Sequence, residues 1–460
     1  MINSVRNNEE EQSVNIRIGI FFDGTGLNAN NLIKNKYADD YKYSNIYRLY
    51  KYYGDSTENT TRDATLKVYV EGVGTKDNEE SQCIIAMGVD FGQFEGWGVF
   101  AKYENAVAGA AKQLADFLED KKIECCQLNI EFDVFGFSRG AAIARHFTNK
   151  IAQHDRCFME KINRAISPYN CFLQSSPSVN FLGLFDTVAS VWSVGMWGVY
   201  DPHDYEGNTN HLEVNLPPNV ARQVFQLTAM HECRYNFPLS SLEGYYPQLE
   251  LAGCHSDIGG SYDICVEETS AITELVKYLP WEETVIKRLT EEMNLLRENE
   301  KWRVLMSNWF PVSNLVGSWA DVTKIVRGEL QYVALLVMFE CAQRHGCKFN
   351  QDILQYEDKI EGELKPYYID AMNNMMMALL GEEAKISQQL VDDITENYVH
   401  LSSTWYHDGI KEQPVDNHSH FIEFRKLRDD NYIEEKFNKA WPMRPEKNWE
   451  RTVYFNNQPL

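Results

Sequence analysis

One stretch restricts this chain more than any other. Leu128 to Phe135 is an apolar run that reads as a buried strand, and Arg139 to His146 has the pattern of a helix. Between them stands Gly136-Phe137-Ser138-Arg139-Gly140, a G-x-S-x-G turn. A serine displayed on a tight strand-to-helix turn needs small residues two positions to either side, because a side chain there would block the turn. The arrangement predicts a nucleophile elbow at Ser138. It also places the backbone N–H of Arg139 at a helix N-terminus, where it can stabilise an oxyanion.

A strand that feeds such a turn needs parallel neighbours, and the chain supplies them. Val14 to Phe22 alternates and then becomes solidly apolar, as a buried strand does. It ends in Asp23-Gly24-Thr25-Gly26, a tight loop with exposed N–H groups. Leu66 to Val70, Phe181 to Phe185 and Gln248 to Gly253 read as further strands, and Tyr41 to Tyr53, Tyr103 to Glu119 and Asn219 to Met230 read as helices. The alternation predicts an α/β fold: a mostly parallel sheet with helices on both faces. After about residue 270 the pattern becomes helical over Trp281 to Glu298, Gly328 to Arg344, Ile369 to Leu380 and Ile386 to Val399. The expected organisation is a disordered tail over 1–13, a catalytic domain over 14–274 and a mainly helical region over 275–460 packed on or covering the site. Gly88 to Gly98 and Trp192 to Asp204 are expected as glycine-rich, aromatic loops.

Composition narrows the partners. The 460 residues carry a net charge of −23 and are 44% hydrophobic. A charge of this sign argues against nucleic acid, whose phosphates need a basic face, and against broad adsorption on anionic lipid. The ten cysteines show no C-x-x-C pair and no zinc spacing, which predicts reduced, mostly buried thiols and synthesis in a reducing cytoplasm. Met1 to Gln12 lacks the basic start and apolar core of a signal peptide. No run of about 18 apolar residues suggests a transmembrane helix.

A serine nucleophile needs a base, and the base an orienting acid. In an open parallel sheet such groups gather at the C-terminal ends of the strands. Asp186 ends one predicted strand and His255 follows another. The order Ser138, Asp186, His255 is that of α/β-hydrolases. His255 would take the Ser138 proton and Asp186 would hold the imidazole tautomer. The oxyanion donors would be the N–H of Arg139 and that of Gly24 or Thr25. The alternative for Asp186 is a helix N-cap and for His255 a cap on the following turn, and His231, His400 and His407 compete as bases. His400, inside the helical region, reads as structural or as a mouth residue. Asp257 is read as ordering the loop of His255, and Asp23 as ordering its own loop through Asx-turn bonds. Asp23 with Asp257 suggests an oxygen site only in principle, so no metal and no cofactor is expected. The Asp23–Gly26 loop lacks the Gly-Lys-Ser/Thr ending of a phosphate loop.

Four motifs occur in order: Phe21-Phe22-Asp23-Gly24-Thr25-Gly26, Gly136-Phe137-Ser138-Arg139-Gly140-Ala141, Gly183-Leu184-Phe185-Asp186-Thr187-Val188 and His255-Ser256-Asp257-Ile258-Gly259-Gly260. Together, over about residues 14–262, they resemble the type VI secretion lipase effectors of the Tle1 kind, which share the DUF2235 α/β-hydrolase domain. Leu27-Asn28 departs from the Asn-Asn of many members. The resemblance puts the family's nucleophile, acid and base on Ser138, Asp186 and His255. It implies an antibacterial phospholipase that cleaves acyl esters of membrane phospholipids as an A1 or A2 enzyme. The implied partners are a VgrG-type spike protein and a cognate periplasmic immunity protein. The implied place of action is the target-cell periplasm, reached without a signal peptide. Gly92–Phe100, Val191–Tyr200 and Trp302–Trp319 would then be candidates for a lipid-facing mouth, or plain core. The alternatives are an esterase of the same fold acting on a small or carbohydrate ester, and a non-catalytic adaptor of the secretion spike.

Overall fold

The computed structural model describes residues 12–35, 40–54, 56–79, 97–189, 193–195, 198–200, 212–276, 283–313, 317–405, 443–446, 448–455 and 458–459. Six parallel strands form the centre: β1 (Gln12–Phe22), β2 (Asp63–Val70), β3 (Cys126–Phe137), β4 (Ser178–Phe185), β5 (Gln223–Ala229) and β6 (Gln248–Leu251). They lie in the order β6-β5-β4-β3-β1-β2, and the short strand Phe172–Leu173 adds a seventh member beside β3. Every pairing is parallel. All chain crossings must then pass over the sheet faces, which are covered on both sides.

The alternation along β1 explains the two layers. Ile16, Ile18, Ile20 and Phe22 point to one face and pack with α2 (Val99–Asp120) and α3 (Arg139–Ala152). Phe21 points to the other face and packs with α1 (Asn45–Tyr52) and with Phe135 and Phe181. The same second core takes in α6 (Leu330–Arg344), whose side chains from Leu330 to Phe339 are all buried. A helix apolar on every side has to sit inside the molecule. The C-terminal region therefore shares a core with the sheet.

Short α4 (His255–Gly259) follows β6. Beyond it stand β7 (Cys265–Ala271), α5 (Glu283–Glu298), β8 (Trp309–Ser313), β9 (Ser318–Arg327), α7 (Leu364–Leu380) and α8 (Gln388–Tyr398). Near the C-terminus β10 (Val453–Phe455) pairs in parallel with Leu239–Ser240, which carries the end of the chain back to the parallel sheet. Among the described residues no helix is long and apolar enough to cross a membrane.

One expectation fails. Asn219 to Met230 contains no helix: Gln223–Ala229 is a strand inserted between β4 and β6. Its continuous burial removes the alternation that would mark a half-exposed strand. The mainly helical region after 270 also holds strands: β7, β8 and β9 form an antiparallel sheet that takes in 309–313 and 318–319 of the Trp302–Trp319 segment and continues to Arg327. The expected loop over Trp192–Asp204 contains, within the described residues, a short hairpin of 193–195 with 198–200. Most of Gly88–Gly98 and the 1–11 end of the expected tail lie outside the described residues.

Candidate active site

At the end of β3, Ser138 has φ 60° and ψ −126°, a backbone conformation that an L-residue holds only under strain. The surrounding chain enforces it. Ser138 N–H donates to the Phe185 carbonyl at 3.0 Å, and the Ser138 carbonyl accepts from Ala141 N–H at 3.0 Å and Val188 N–H at 3.3 Å. The turn is thereby laced to both sides of Asp186. The flanking glycines are required by contact. A Cβ on Gly136 would meet Gly140 O and Ala141 Cα, and one on Gly140 would strike the carbonyls of Phe22 and Asp23. The start of α3 thus presses directly on the loop after β1.

Asp186 also has a positive φ, 44°, and is fully buried. Its Oδ2 meets His255 Nδ1 at 2.5 Å, and its Oδ1 accepts from Ala229 N–H at 3.0 Å. Arg451, from the far end of the chain, grips the same carboxylate with Nη1 at 2.6 Å and Nη2 at 2.9 Å. Burial alone would raise the Asp186 pKa, but the Arg451 charge and the His255 hydrogen bond hold it well below the ordinary carboxylate range. Asp186 is then an anion that accepts the Nδ1 proton, which leaves His255 Nε2 as the acceptor. Burial lowers the His255 pKa, with Asp186 opposing the shift, so the ring is neutral at neutral pH. A neutral imidazole with an open Nε2 is the form a general base needs.

The His255 ring lies against Phe137 at 4.6 Å and takes the edge of Phe237 at 4.9 Å. Phe137 immediately precedes Ser138, so the ring contact brings His255 to the Ser138 turn. Among the described residues, His255 Nε2 has no hydrogen-bond partner. The structure joins His255 to Asp186 and leaves the Ser138–His255 bond unmade. Catalytic hydrogen bonds of this kind commonly tighten only when substrate is present.

The loop after β1 holds the remaining predicted residues. Asp23 is buried; its Oδ2 accepts from Tyr69 O–H at 2.6 Å and its Oδ1 from Gly24 N–H at 2.8 Å. Burial pushes the Asp23 pKa up to about 6, against the opposing bonds from Tyr69, Ser44 and Gly24. With Gly24 N–H turned to Asp23, the Thr25 amide is the loop donor left without an acceptor among the described residues. Thr25 Oγ1 accepts from Arg139 Nε.

Asp257 stands two residues from His255 and does different work. Its Oδ2 accepts from Cys254 N–H at 2.9 Å and from His400 N–H at 3.1 Å, and its Oδ1 meets His400 Nδ1 at 2.7 Å. His400 is fully buried and stacked on Tyr262 at 3.6 Å, away from any mouth. His231 is also buried: its Nδ1 accepts from Gly253 N–H at 3.0 Å, and burial takes its pKa down to about 3. His407 lies outside the described residues. Trp302 and Trp319 are buried, so their part of the candidate mouth is core. The segments Gly92–Phe100 and Val191–Tyr200 lie largely outside the described residues. Among the described residues no group of three or more His, Cys, Asp or Glu side chains is arranged to hold a metal.

Three contributors escaped the sequence reading. Arg451 is one. The others are Glu232 and Arg234, a buried pair in which Arg234 donates to Glu232 at 2.7–2.9 Å. Glu232 Oε2 also accepts from His255 N–H at 3.2 Å, and the Arg234 guanidinium covers the Phe237 ring at 3.5 Å. Burial would raise the Glu232 pKa, but Arg234 brings it down to about 2. The run His231-Glu232-Cys233-Arg234, placed just past a strand end, was the available signal.

Comparison with known proteins comes from two directions. The family model described as "T6SS, Phospholipase effector Tle1-like, catalytic domain" matches residues 17–170 and 153–277, more than half of the chain. No curated protein matches. Among solved structures, the Tle1 effector bound to the VgrG spike from the type 6 secretion system is similar over 99% of this chain and 98% of that one, at 25% identity and a TM-score of 0.68. An uncharacterized protein from Pseudomonas aeruginosa matches over 82% of this chain and 52% of that one, at 16% identity and a TM-score of 0.39, too low to bear on the fold.

Proposed function

The chain belongs to the Tle1-like family of type VI secretion system phospholipase effectors, and we propose that it hydrolyses acyl esters of membrane phospholipids with Ser138, His255 and Asp186. Ser138 Oγ attacks the ester carbonyl carbon as its proton passes to His255 Nε2. The oxyanion takes hydrogen bonds from the Arg139 and Thr25 amides, with Gly24 released to help only if Asp23 lets go of its N–H. The carbon–oxygen bond to the glycerol then breaks, and His255 returns the proton to the leaving oxygen. Water, deprotonated by the same imidazole, hydrolyses the acyl-enzyme and restores Ser138. Asp186 stays ionised throughout, held by Arg451.

The observation that carries this reading is the strained Ser138 turn, tied by hydrogen bonds to the loop of the acid that binds His255. Family membership supplies the substrate class, with cleavage of the A1 or A2 type. The similar solved structure extends over nearly the whole of both chains, which supports a VgrG-type spike as carrier. Delivery into a neighbour's periplasm would require a cognate immunity protein in the producer. The test is mass spectrometry of lysophospholipid and fatty acid released from phosphatidylethanolamine and phosphatidylglycerol vesicles. Wild type should release both products and Ser138→Ala, folded, neither. Release by that variant would refute the assignment.

A further inference from the structure

The guanidinium groups buried in this molecule mostly spend their terminal nitrogens on acceptors. Arg234 has Glu232, Arg48 has Asn45, Gln331 and the Asp40 carbonyl, and Arg145 has Thr187, Gln226 and the carbonyls of Val214 and Ser240. Arg139, the residue after Ser138, is different. It is 8% exposed, and no carboxylate among the described residues lies within ion-pair distance of it. Its Nε bonds to Thr25 Oγ1, while its two terminal nitrogens, four N–H donors, have no acceptor among the described residues. Burial, with the nearby Arg234 charge, brings the Arg139 pKa down to about 10, which leaves the group charged at neutral pH. Its terminal nitrogens are not sealed from solvent, so an anion can reach them and join a cation that is otherwise largely desolvated.

Position identifies the anion. Arg139 supplies one proposed oxyanion amide from its backbone and touches Thr25, which supplies the other, with its side chain. Arg234, its charged neighbour, covers Phe237, whose ring edge meets His255. The guanidinium therefore touches the oxyanion loop, and the Arg234 charge that acts on it belongs to the group of side chains around His255. An ester of glycerol bound at Ser138 carries its remaining substituent, a few bonds from the scissile carbonyl, into this neighbourhood. A planar fork of N–H donors matches two oxygens of a phosphate.

We propose that the Arg139 side chain binds the phosphate of the glycerophospholipid headgroup and so selects phospholipids over neutral acylglycerols. This rests on the phospholipase reading above and adds a specificity residue to it. The phosphate need not discriminate among headgroups, because the fork grips the oxygens common to all of them.

The measurement compares kcat/KM for fatty-acid release from two substrates with identical acyl chains, dihexanoylphosphatidylcholine and dihexanoylglycerol, both below their aggregation limits. Arg139→Met should lower the ratio of phospholipid to glyceride kcat/KM about ten- to hundredfold, the range for losing a charge-assisted pair. Arg139→Lys, which keeps the charge without the fork, should fall between. An equal loss on both substrates would overturn the proposal and leave Arg139 a support for the Thr25 loop. If Arg139→Met does not fold, wild type decides. Glycerophosphocholine should inhibit phospholipid hydrolysis competitively at millimolar concentration, and no inhibition counts against the site. Inorganic phosphate, tested beside it, separates a diester-shaped site from a general anion site: inhibition by phosphate alone would also overturn the assignment. Ser138→Ala keeps the two readings apart. If it still releases fatty acid the catalytic reading fails, whereas an inactive Ser138→Ala with an unchanged Arg139→Met ratio sinks only the present one.

Discussion

Helix α4 contributes to two histidine–aspartate pairs, alike in burial and different in what surrounds them. His255 takes Asp186 at 2.5 Å; two residues on, Asp257 takes His400 at 2.7 Å. Both pairs are buried, and in both the histidine Nε2 is unpartnered among the described residues. Around His255 stand a strained serine turn, two aromatic rings and a clamped carboxylate. Around His400 stand the flat face of Tyr262 at 3.6 Å, the Glu268 carboxylate at 3.9 Å and Asp257. His400 N–H and Cys254 N–H share Asp257, so this second pair pins the segment after α8 to the turn that carries His255. The proposed function therefore rests less on the histidine–aspartate pair, which occurs twice, than on the strained Ser138 turn beside one of them.

Substitutions that separate the pairs test this. His255→Ala should reduce fatty-acid release about 10⁴-fold or more, since triad members act as a unit. His400→Gln should leave release per folded molecule within about threefold and lower stability by about 2 kcal/mol, because it removes a buried partner of Asp257. Equal losses of activity in the two variants would break the comparison. Arg451→Met, assayed by urea denaturation and by kcat/KM, should cost about 3 kcal/mol, since Asp186 loses its guanidinium partner and keeps only His255 and the Ala229 N–H. Its activity should fall about tenfold through a less firmly held His255. An unchanged denaturation midpoint would show that the clamp is idle. The smallest effect is in pH. The His255 pKa is lowered on folding, and the base works only when neutral, so kcat/KM on a soluble ester should rise to its plateau with a midpoint below about 6.5. A midpoint above neutrality would mean that Asp186, not burial, dominates the ring.

The sheet and the site's three central residues were legible because each sits on a local pattern: an apolar run, a glycine-framed turn, a polar residue at a strand end. Gln223–Ala229 was not, because a strand buried on both faces has no alternation, and its spacing of Val224, Phe225, Leu227 and Ala229 also suits a helix. The β9 segment carries an alternating pattern, with Val322 and Val326 buried and Ile325 exposed, but it follows the Pro311 and Gly317 breaks and stands between stretches of helical pattern, which hide it. Arg451 gave no local signal at all. It lies 265 residues from Asp186, and only the pairing of β10 beside Leu239 brings it there. Arg139 stood inside the motif, yet its backbone amide took the attention that its unpaired side chain also warranted.

The most direct measurement is covalent labelling with a serine-reactive alkyl phosphonate, with the modified peptide located by mass spectrometry. The account predicts an adduct on Ser138 in wild type and in His400→Gln, and none in His255→Ala. An adduct on another residue, or labelling of Ser138 that depends on His400 and not on His255, would contradict it.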